Sequence, residues 1–411
     1  MSEKILEVKH LRTHFVGDRG VQVRAVDDLS FSVEKGEFCA IIGESGSGKS
    51  VSALSILGLL PYPKAFHQKG SSIKFEGKEL IGAAEKDIRK IRGGDIAFIF
   101  QEPMSSLNPL HRIGDQIAES LMIHRGFSKK KALIEAFRLL KLTGIQNAKK
   151  RLRAYPFELS GGQRQRVMIA MAIANHPKIL IADEPTTALD VTVQAQLIDL
   201  LIKLKNKLNM SIIFISHDLR LVKKIADKIC VMKNGKIVEQ GTAKNVFESP
   251  KYSYTKKLIN SFNILNKSNI ISSNAIVLCA ENINVAFPIK KNFWGKTIEE
   301  IKAVDNISLC INKGESIGIV GESGSGKTTL GLSLVKLIPS QGQIFINSKE
   351  YAENSRELRK VIQMVFQDPY NSLNPRLNIF QIVSEGLNVH HKNLNINQKK
   401  QAVTEILKDV G

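Results

Sequence analysis

The sequence has little that would place it in a bilayer, in an oxidising compartment or around a metal cluster. None of its apolar runs reaches the roughly 18 uninterrupted residues a membrane span needs, and the opening MSEKILEVKHLR carries charges where a secretory leader would carry its apolar stretch. A chain that stays in the cytosol is expected. Cysteine is scarce: Cys39, Cys230, Cys279 and Cys310 stand singly in apolar runs, without CxxC spacing or histidine-rich surroundings. Reduced core thiols are therefore expected rather than metal ligands or disulfides. Acidic residues are few, 39 against 59 basic, for a net charge of +20. A basic field attracts nucleic acid and anionic surfaces. Here, however, the lysines are dispersed through Lys/Asn/Ile-rich stretches such as KLKNKLNM (203–210), the pattern of a solvated surface, and no specific nucleic-acid partner is expected.

What is present is a repeat. At 411 residues and 43% hydrophobic side chains the chain can bury more than one core. AVDDLSFSVEKGEFCAIIGESGSGKS (25–50) recurs as AVDNISLCINKGESIGIVGESGSGKT (303–328), and IAFIFQEPMSSLNP (96–109) as IQMVFQDPYNSLNP (362–375). Two copies of one domain are implied. Residues 251–274 are rich in Lys, Asn and Ser and lack sustained periodicity, which predicts a first domain over 1–262, a linker over 263–274 and a second copy over 275–411. Each copy opens with short alternating strands, then an apolar strand (Phe38–Ile42; Ile317–Val320), a Gly-rich turn and an apolar helix. In the first copy a helical stretch follows, with Ile113, Ile117 and Leu121 on one stripe and Leu133, Ala136, Phe137 and Leu140 on another. Two further buried strands, Ile179–Ala182 and Ile212–Ile215, flank a helix around Val193–Leu208. This alternation predicts an α/β fold around a mostly parallel sheet.

Three segments carry chemistry. Gly43, Glu44, Ser45, Gly46, Ser47, Gly48, Lys49 and Ser50 fit GxxxxGK[ST], in which glycines let backbone N–H groups wrap phosphates at a helix N-terminus. The same pattern returns as Gly321, Glu322, Ser323, Gly324, Ser325, Gly326, Lys327 and Thr328. A helix end contributes at most about 2 kcal/mol, whereas micromolar binding needs about 8 kcal/mol. The Lys49 charge and a Mg²⁺ held through Ser50 are required for the rest. The apolar strand before Asp183 and Glu184 ends in two carboxylates at the edge where open α/β sheets bind ligands. Asp183 is suited to Mg²⁺, Glu184 to polarising water as a general base, with His217 just past the next strand. Finally, Leu159, Ser160, Gly161, Gly162 and Gln163 form a Ser-Gly-Gly turn opening a helix, a second anion-binding helix end.

In this order, the P-loop, Gln101, LSGGQ, Asp183-Glu184, the Ala188-Leu189-Asp190 loop and His217 resemble the ABC ATPases along essentially the whole chain. The resemblance implies the P-loop NTPase fold of that family, with a RecA-like core, an antiparallel β subdomain and a helical subdomain, plus a partial second copy. It implies ATP and Mg²⁺ as cofactors, and two domains paired head to tail so that the P-loop of one and the signature of the other enclose each ATP. By the same likeness Phe15 and Phe287 correspond to the adenine-stacking aromatic. Gln101 and Gln367 correspond to the residue sensing Mg²⁺ or the γ-phosphate, and Ser50, Gln101, Asp183 and Thr328 to the metal-contacting set. QEPMSSLNP and the stretch from Ser249 to Leu258 look most like the oligopeptide and dipeptide importer branch, and the tandem arrangement like microcin C/peptide and glutathione importers. The cysteine cluster of some dipeptide-importer ATPases is not matched. Membrane permeases, and indirectly an extracytoplasmic solute-binding protein, are the implied partners, with the chain on the cytoplasmic face of the membrane.

The repeat also predicts an asymmetry. Carried forward, the second signature would fall near residue 427, past residue 411. The site on Lys49, Asp183, Glu184 and His217 then needs a signature from elsewhere, and the site on Lys327 and Thr328 lacks a general base. ATP binding with slow hydrolysis is expected until a second nucleotide-binding domain or a further segment supplies the missing face. The competing readings are a soluble tandem ABC protein acting on ribosomes or DNA, and a catalytically idle fragment.

Overall fold

In a computed structural model of the chain, the described residues are 3–17, 20–101, 106–186, 189–261, 275–291, 297–322, 324–351, 355–366 and 372–411. They fall into two compact units, 1–266 and 267–411. In the first, β1 (Lys4–Val16) and β2 (Gln22–Glu34) pair antiparallel. After β3 (Phe38–Ile42) come β4 (Ala65–His67) and β5 (Ser72–Phe75), which pair with β1, and β6 (Lys78–Glu79), which pairs with β5.

The second sheet is built from apolar runs. β3, β8 (Ile179–Asp183) and β9 (Ser211–Ser216) are buried at every position. A strand covered on both faces reads as such a run, because neither face meets water. With β7 (Ile96–Ile99), β10 (Lys228–Lys233) and β11 (Lys236–Thr242) they form the order β11-β10-β3-β9-β8-β7, parallel except for β11. Alternation then divides the core. Phe38, Ala40, Ile42, Leu180, Ala182, Ile212 and Phe214 face a cluster formed with the helices. Cys39, Ile41, Ile179, Ile181, Ile213 and Ile215 face a cluster shared with the antiparallel sheet. Each fully buried isoleucine contributes about 1.5–3 kcal/mol relative to exposure.

Helices Ile113–Arg125, Lys129–Leu142 and Gly161–Ala172 pack on the first cluster. Ile113, Ile117 and Leu121 are buried as the 3.6-residue spacing predicts. On the next helix the buried stripe is Ala132, Ala136, Leu139 and Leu140, with Leu133 and Phe137 only partly covered. The stretch from residue 251 is not uniformly irregular. Ser253–Ser261 is a helix whose Tyr254, Leu258 and Ile259 pack against the core, a one-face spacing hidden by the surrounding Lys and Asn. The expected linker, 263–274, lies outside the described residues. Among the described residues no helix is long and apolar enough to cross a membrane.

The second unit repeats the antiparallel sheet, in the order β13 (Thr297–Asn312), β12 (Ile276–Lys291), β14 (Gln341–Ile346), β15 (Lys349–Glu350). Its core gathers Leu278, Ile283, Val285, Val304, Leu330 and Ile344 with their neighbours. Two expectations fail here. Ile317–Val320 forms no strand, and Ile317, Ile319 and Val320 are exposed, Val320 at 92%. The difference is one of pairing: β3 is flanked by β9 and β10, whereas among the described residues 315–322 pair with no strand. Nor are all four cysteines buried reduced thiols. Cys39 and Cys230 are, but Cys279 and Cys310 are direct partners across the β12–β13 ladder, with Cα atoms 4.1 Å apart, and form a disulfide. Leu278 and Ala280 take the core face, so alternation sends Cys279 to the other face, beside a residue 31 positions away that no local spacing pattern could detect.

Candidate functional site

The loop after β3 is shaped by glycines that nothing else could replace. Gly43 has φ +154°, and a Cβ there would lie 2.3 Å from the Met232 carbonyl oxygen. Gly48 caps the Lys49–Ile56 helix at φ +96°, where a Cβ would meet the Ala25 carbonyl oxygen at 2.4 Å. Lys49 is buried and turns back over the loop, donating to the Gly43 and Glu44 carbonyls at 2.9 and 2.8 Å. Burial holds its ammonium below the ordinary lysine range, although the carboxylates of Glu184, Asp183 and Glu44 act the other way.

β8 and β9 deliver the acidic and basic groups to the same sheet edge. Glu184 follows β8 in the left-handed region, φ +45°, where only glycine sits without strain; its N–H donates to the Ile215 carbonyl at 3.0 Å. That bend brings its carboxylate, 16% exposed, to two partners: Gln101 Nε2 donates to Oε2 at 3.0 Å, and His217 Nδ1 lies 3.3 Å from the same oxygen. Side chains from two other strand ends thus converge on one oxygen of Glu184. Backbone strain at Glu184 has no sequence signal.

Asp183 is buried, and its Oδ1 has no hydrogen-bond partner. Burial raises its carboxyl above the ordinary aspartate range, while the Ser50 hydroxyl lowers it. An unpartnered buried carboxylate oxygen beside a hydroxyl fits a small hard cation, and Mg²⁺ requires few protein ligands when phosphate oxygens and waters complete its shell.

The Ser-Gly-Gly turn is a helix cap with its own reciprocal bonds. Gln163 N–H donates to Ser160 Oγ at 3.4 Å and Ser160 N–H to Gln163 Oε1 at 3.3 Å, leaving Ser160 and Gly161 exposed. Gly162 allows close packing, since a Cβ there would lie 2.8 Å from Val193 Cγ1 on the Val191–Leu208 helix, which Asp190 caps. Arg166 ties the two together through Gln196 Oε1 at 3.1 Å, and also reaches the end of the Lys129–Leu142 helix through the Thr143 carbonyl at 2.9 Å.

In the second unit Gly326 caps Lys327–Leu334 at φ +92°, and Lys327 donates to the Gly321 and Glu322 carbonyls at 2.8 and 2.7 Å. Gly324, Ser325 and Thr328 complete that turn and helix start. Phe15 is half-buried on β1 beside Val23 and Ala65, and Phe287 is exposed on β12 beside Ile301. Ser323, Gln367 and Ala188 lie outside the described residues. Sequence reasoning missed Tyr254, whose hydroxyl accepts from the Glu44 N–H at 3.2 Å.

Comparison with known proteins agrees with this arrangement. The ABC transporter family profile matches residues 26–187 and 304–411. The chain is 49% identical, over its full length and 76% of the relative, to the peptidoglycan transport ATP-binding protein YejF of Agrobacterium fabrum. It is 47% identical to an uncharacterized ABC transporter ATP-binding protein, YejF of Escherichia coli, over its full length and 78% of that protein. With the glutathione import ATP-binding protein GsiA of Escherichia coli it shares 40% identity over 94% of this chain and 67% of the relative. Among solved structures, a dimeric ATP-binding cassette in a post-hydrolysis state with ADP and phosphate superposes with a TM-score of 0.52 at 27% identity, covering 58% of this chain and 98% of that one. These relatives are transport ATP-binding proteins, in keeping with the importer reading rather than one on ribosomes or nucleic acid. With two phosphate loops, a capped LSGGQ turn and a strand-end carboxylate pair in family order, the chain belongs to the ABC transporter family of ATP-binding ATPases.

Proposed function

We propose that this chain powers the import of peptides or related small solutes through separate membrane permeases, working on the cytoplasmic face of the cell membrane. The observation that carries the catalytic part is the convergence of Gln101 and His217 on the carboxylate of Glu184, one residue past the buried Asp183 and on the same sheet edge as the Lys49 loop. The loop amides from Ser45 to Ser50 and the Lys49 ammonium grip the phosphates once Lys49 leaves the Gly43 and Glu44 carbonyls. Glu184 takes a proton from the water that attacks the γ-phosphorus as the bond to the β,γ-bridging oxygen breaks and ADP leaves, and His217 and Gln101 hold its carboxylate toward the γ-phosphate. Asp183, Ser50 and Gln101, and Thr328 in the second loop, are the groups that would hold Mg²⁺. The ion would neutralise charge developing on the phosphate oxygens. Phe15 and Phe287 face the adenine.

Residues 1–262 act in this reading as one complete nucleotide-binding domain and 275–411 as the front portion of another. Ser160 and Gly161 are exposed, Gly162 and Gln163 partly so, and Ser160 and Gln163 cap their own helix, which suits presentation to a nucleotide held on a different domain. Hydrolysis therefore needs a partner face, from another domain or another copy. The names of the relatives, for peptidoglycan transport and glutathione import, support a peptide-like solute delivered by a binding protein. The test is the ATPase rate per chain against concentration, alone and with co-expressed permeases. A rate that rises with concentration or permease supports the reading, and a high rate independent of both overturns it.

A further inference from the structure

The helix Ser253–Ser261 ends the described part of the first unit, 210 residues from the phosphate loop in sequence, yet one of its side chains touches that loop. Tyr254 Oη accepts the Glu44 N–H at 3.2 Å, and its half-buried ring packs on the first core cluster with the Lys233 ammonium 4.6 Å from the ring centroid. Its position is fixed from behind. The Glu239 carboxylate, only 8% exposed, accepts from the N–H groups of Lys251 (2.9 Å) and Tyr252 (3.3 Å), and Thr255 beside the tyrosine is fully buried. The Gly43–Glu44 peptide is consequently held at both ends, its N–H by Tyr254 and its carbonyl by Lys49 at 2.9 Å.

We propose that Tyr254 is a positioning residue for nucleotide binding: it fixes the first peptide of the Lys49 loop, so that the loop amides are already ordered when phosphate arrives. A loop ordered beforehand loses less entropy on binding than a free one, and the difference appears as affinity. When Lys49 leaves the Gly43 carbonyl for the phosphates, Tyr254 still ties that peptide through the Glu44 N–H. The proposal rests on the Lys49 loop being a nucleotide site.

The test uses the full chain carrying Lys327→Ala, so that binding is read mainly at the first loop, with an N-methylanthraniloyl derivative of ATP as probe. Tyr254→Phe keeps the ring and its packing but removes the acceptor. It should weaken binding about two- to tenfold, the range of one hydrogen bond, and speed hydrogen exchange at the Glu44 amide while the Ile41 amide on β3 keeps its protection. Tyr252→Phe, altering an exposed neighbour, should change neither. Unchanged affinity in Tyr254→Phe, or weakening accompanied by loss of Ile41 protection, would overturn the positioning role. If Lys49→Ala binds the probe as tightly as its parent, the nucleotide-site reading itself fails.

Discussion

The two phosphate loops of this chain are nearly the same object in two settings. Gly48 and Gly326 have φ +96° and +92°, and each lysine folds back onto the carbonyls five and six residues before it at closely matching distances. Around the first loop stand a six-stranded sheet and the carboxylates of Asp183 and Glu184. Around the second, the preceding residues 315–322 join no ladder, and Lys327 is only partly buried where Lys49 is buried. The loop's shape is a short-range property of eight residues with glycines at fixed places. Burial, charge and a catalytic partner are long-range properties, supplied by strands far along the chain.

That contrast can be broken at several points. The largest effect is expected at Glu184: Glu184→Gln should lower ATP turnover, measured with the partner face present, by about 10²–10⁴-fold while leaving ATP binding intact. Unchanged turnover would remove Glu184 from the chemistry and make the two loops equals. Next is packing. Ile213→Ala in the buried β9 should cost about 2–5 kcal/mol in urea unfolding followed at the first unit, whereas Val320→Ala, at an exposed position, should stay within about 0.5 kcal/mol. Similar losses would mean that residues 317–320 are packed after all.

Third, Lys49→Ala should weaken ATP binding by about ten- to a hundredfold, the range of charge-assisted bonds, and Lys327→Ala by clearly less, read by titrating the fluorescent nucleotide into each variant. The reverse order would show that the sheet and carboxylates around Lys49 add nothing to its grip.

The smallest effect concerns the tail that only the first unit has among the described residues. Burial pushes the Glu239 carboxyl up, but the bonds from the Lys251 and Tyr252 amides, with the Thr255 hydroxyl nearby, outweigh it and leave it below the ordinary glutamate range. A carboxyl depressed in the folded state confers stability that is complete above its unfolded value, near 4.3, and is lost as pH falls through the folded one. Glu239→Gln should therefore cost about 1–2 kcal/mol at pH 7, with the gap to the parent narrowing in acid. A gap independent of pH would mean that the carboxylate charge is not what holds the tail.

Much of this was legible in the sequence because the chemistry lies in contiguous motifs. β3, β8 and β9, the loop glycines, the strand-end carboxylates and the helix after Asp190 all announce themselves through apolar runs or local spacing. What escaped was set by residues distant in the chain. Ile317–Val320 has the composition of a strand, but a strand exists only where a neighbour accepts its hydrogen bonds. Cys279 and Cys310 meet through ladder register, and Tyr254 reaches Glu44 because Glu239 pins the intervening backbone. The positive φ of Glu184 comes from a strand end forced to bond Ile215, a constraint invisible in ILIADE.

One steric detail has a mechanical consequence. In both copies the glycine before the lysine lies against a carbonyl of the antiparallel sheet, Ala25 on β2 for Gly48 and Ala303 on β13 for Gly326, with room for no added carbon. Such a contact works like a pawl resting in a tooth. Any tilt of that antiparallel sheet would push on the last turn of the loop instead of being taken up by slack, so β2 and the Gly48 turn move together as one lever.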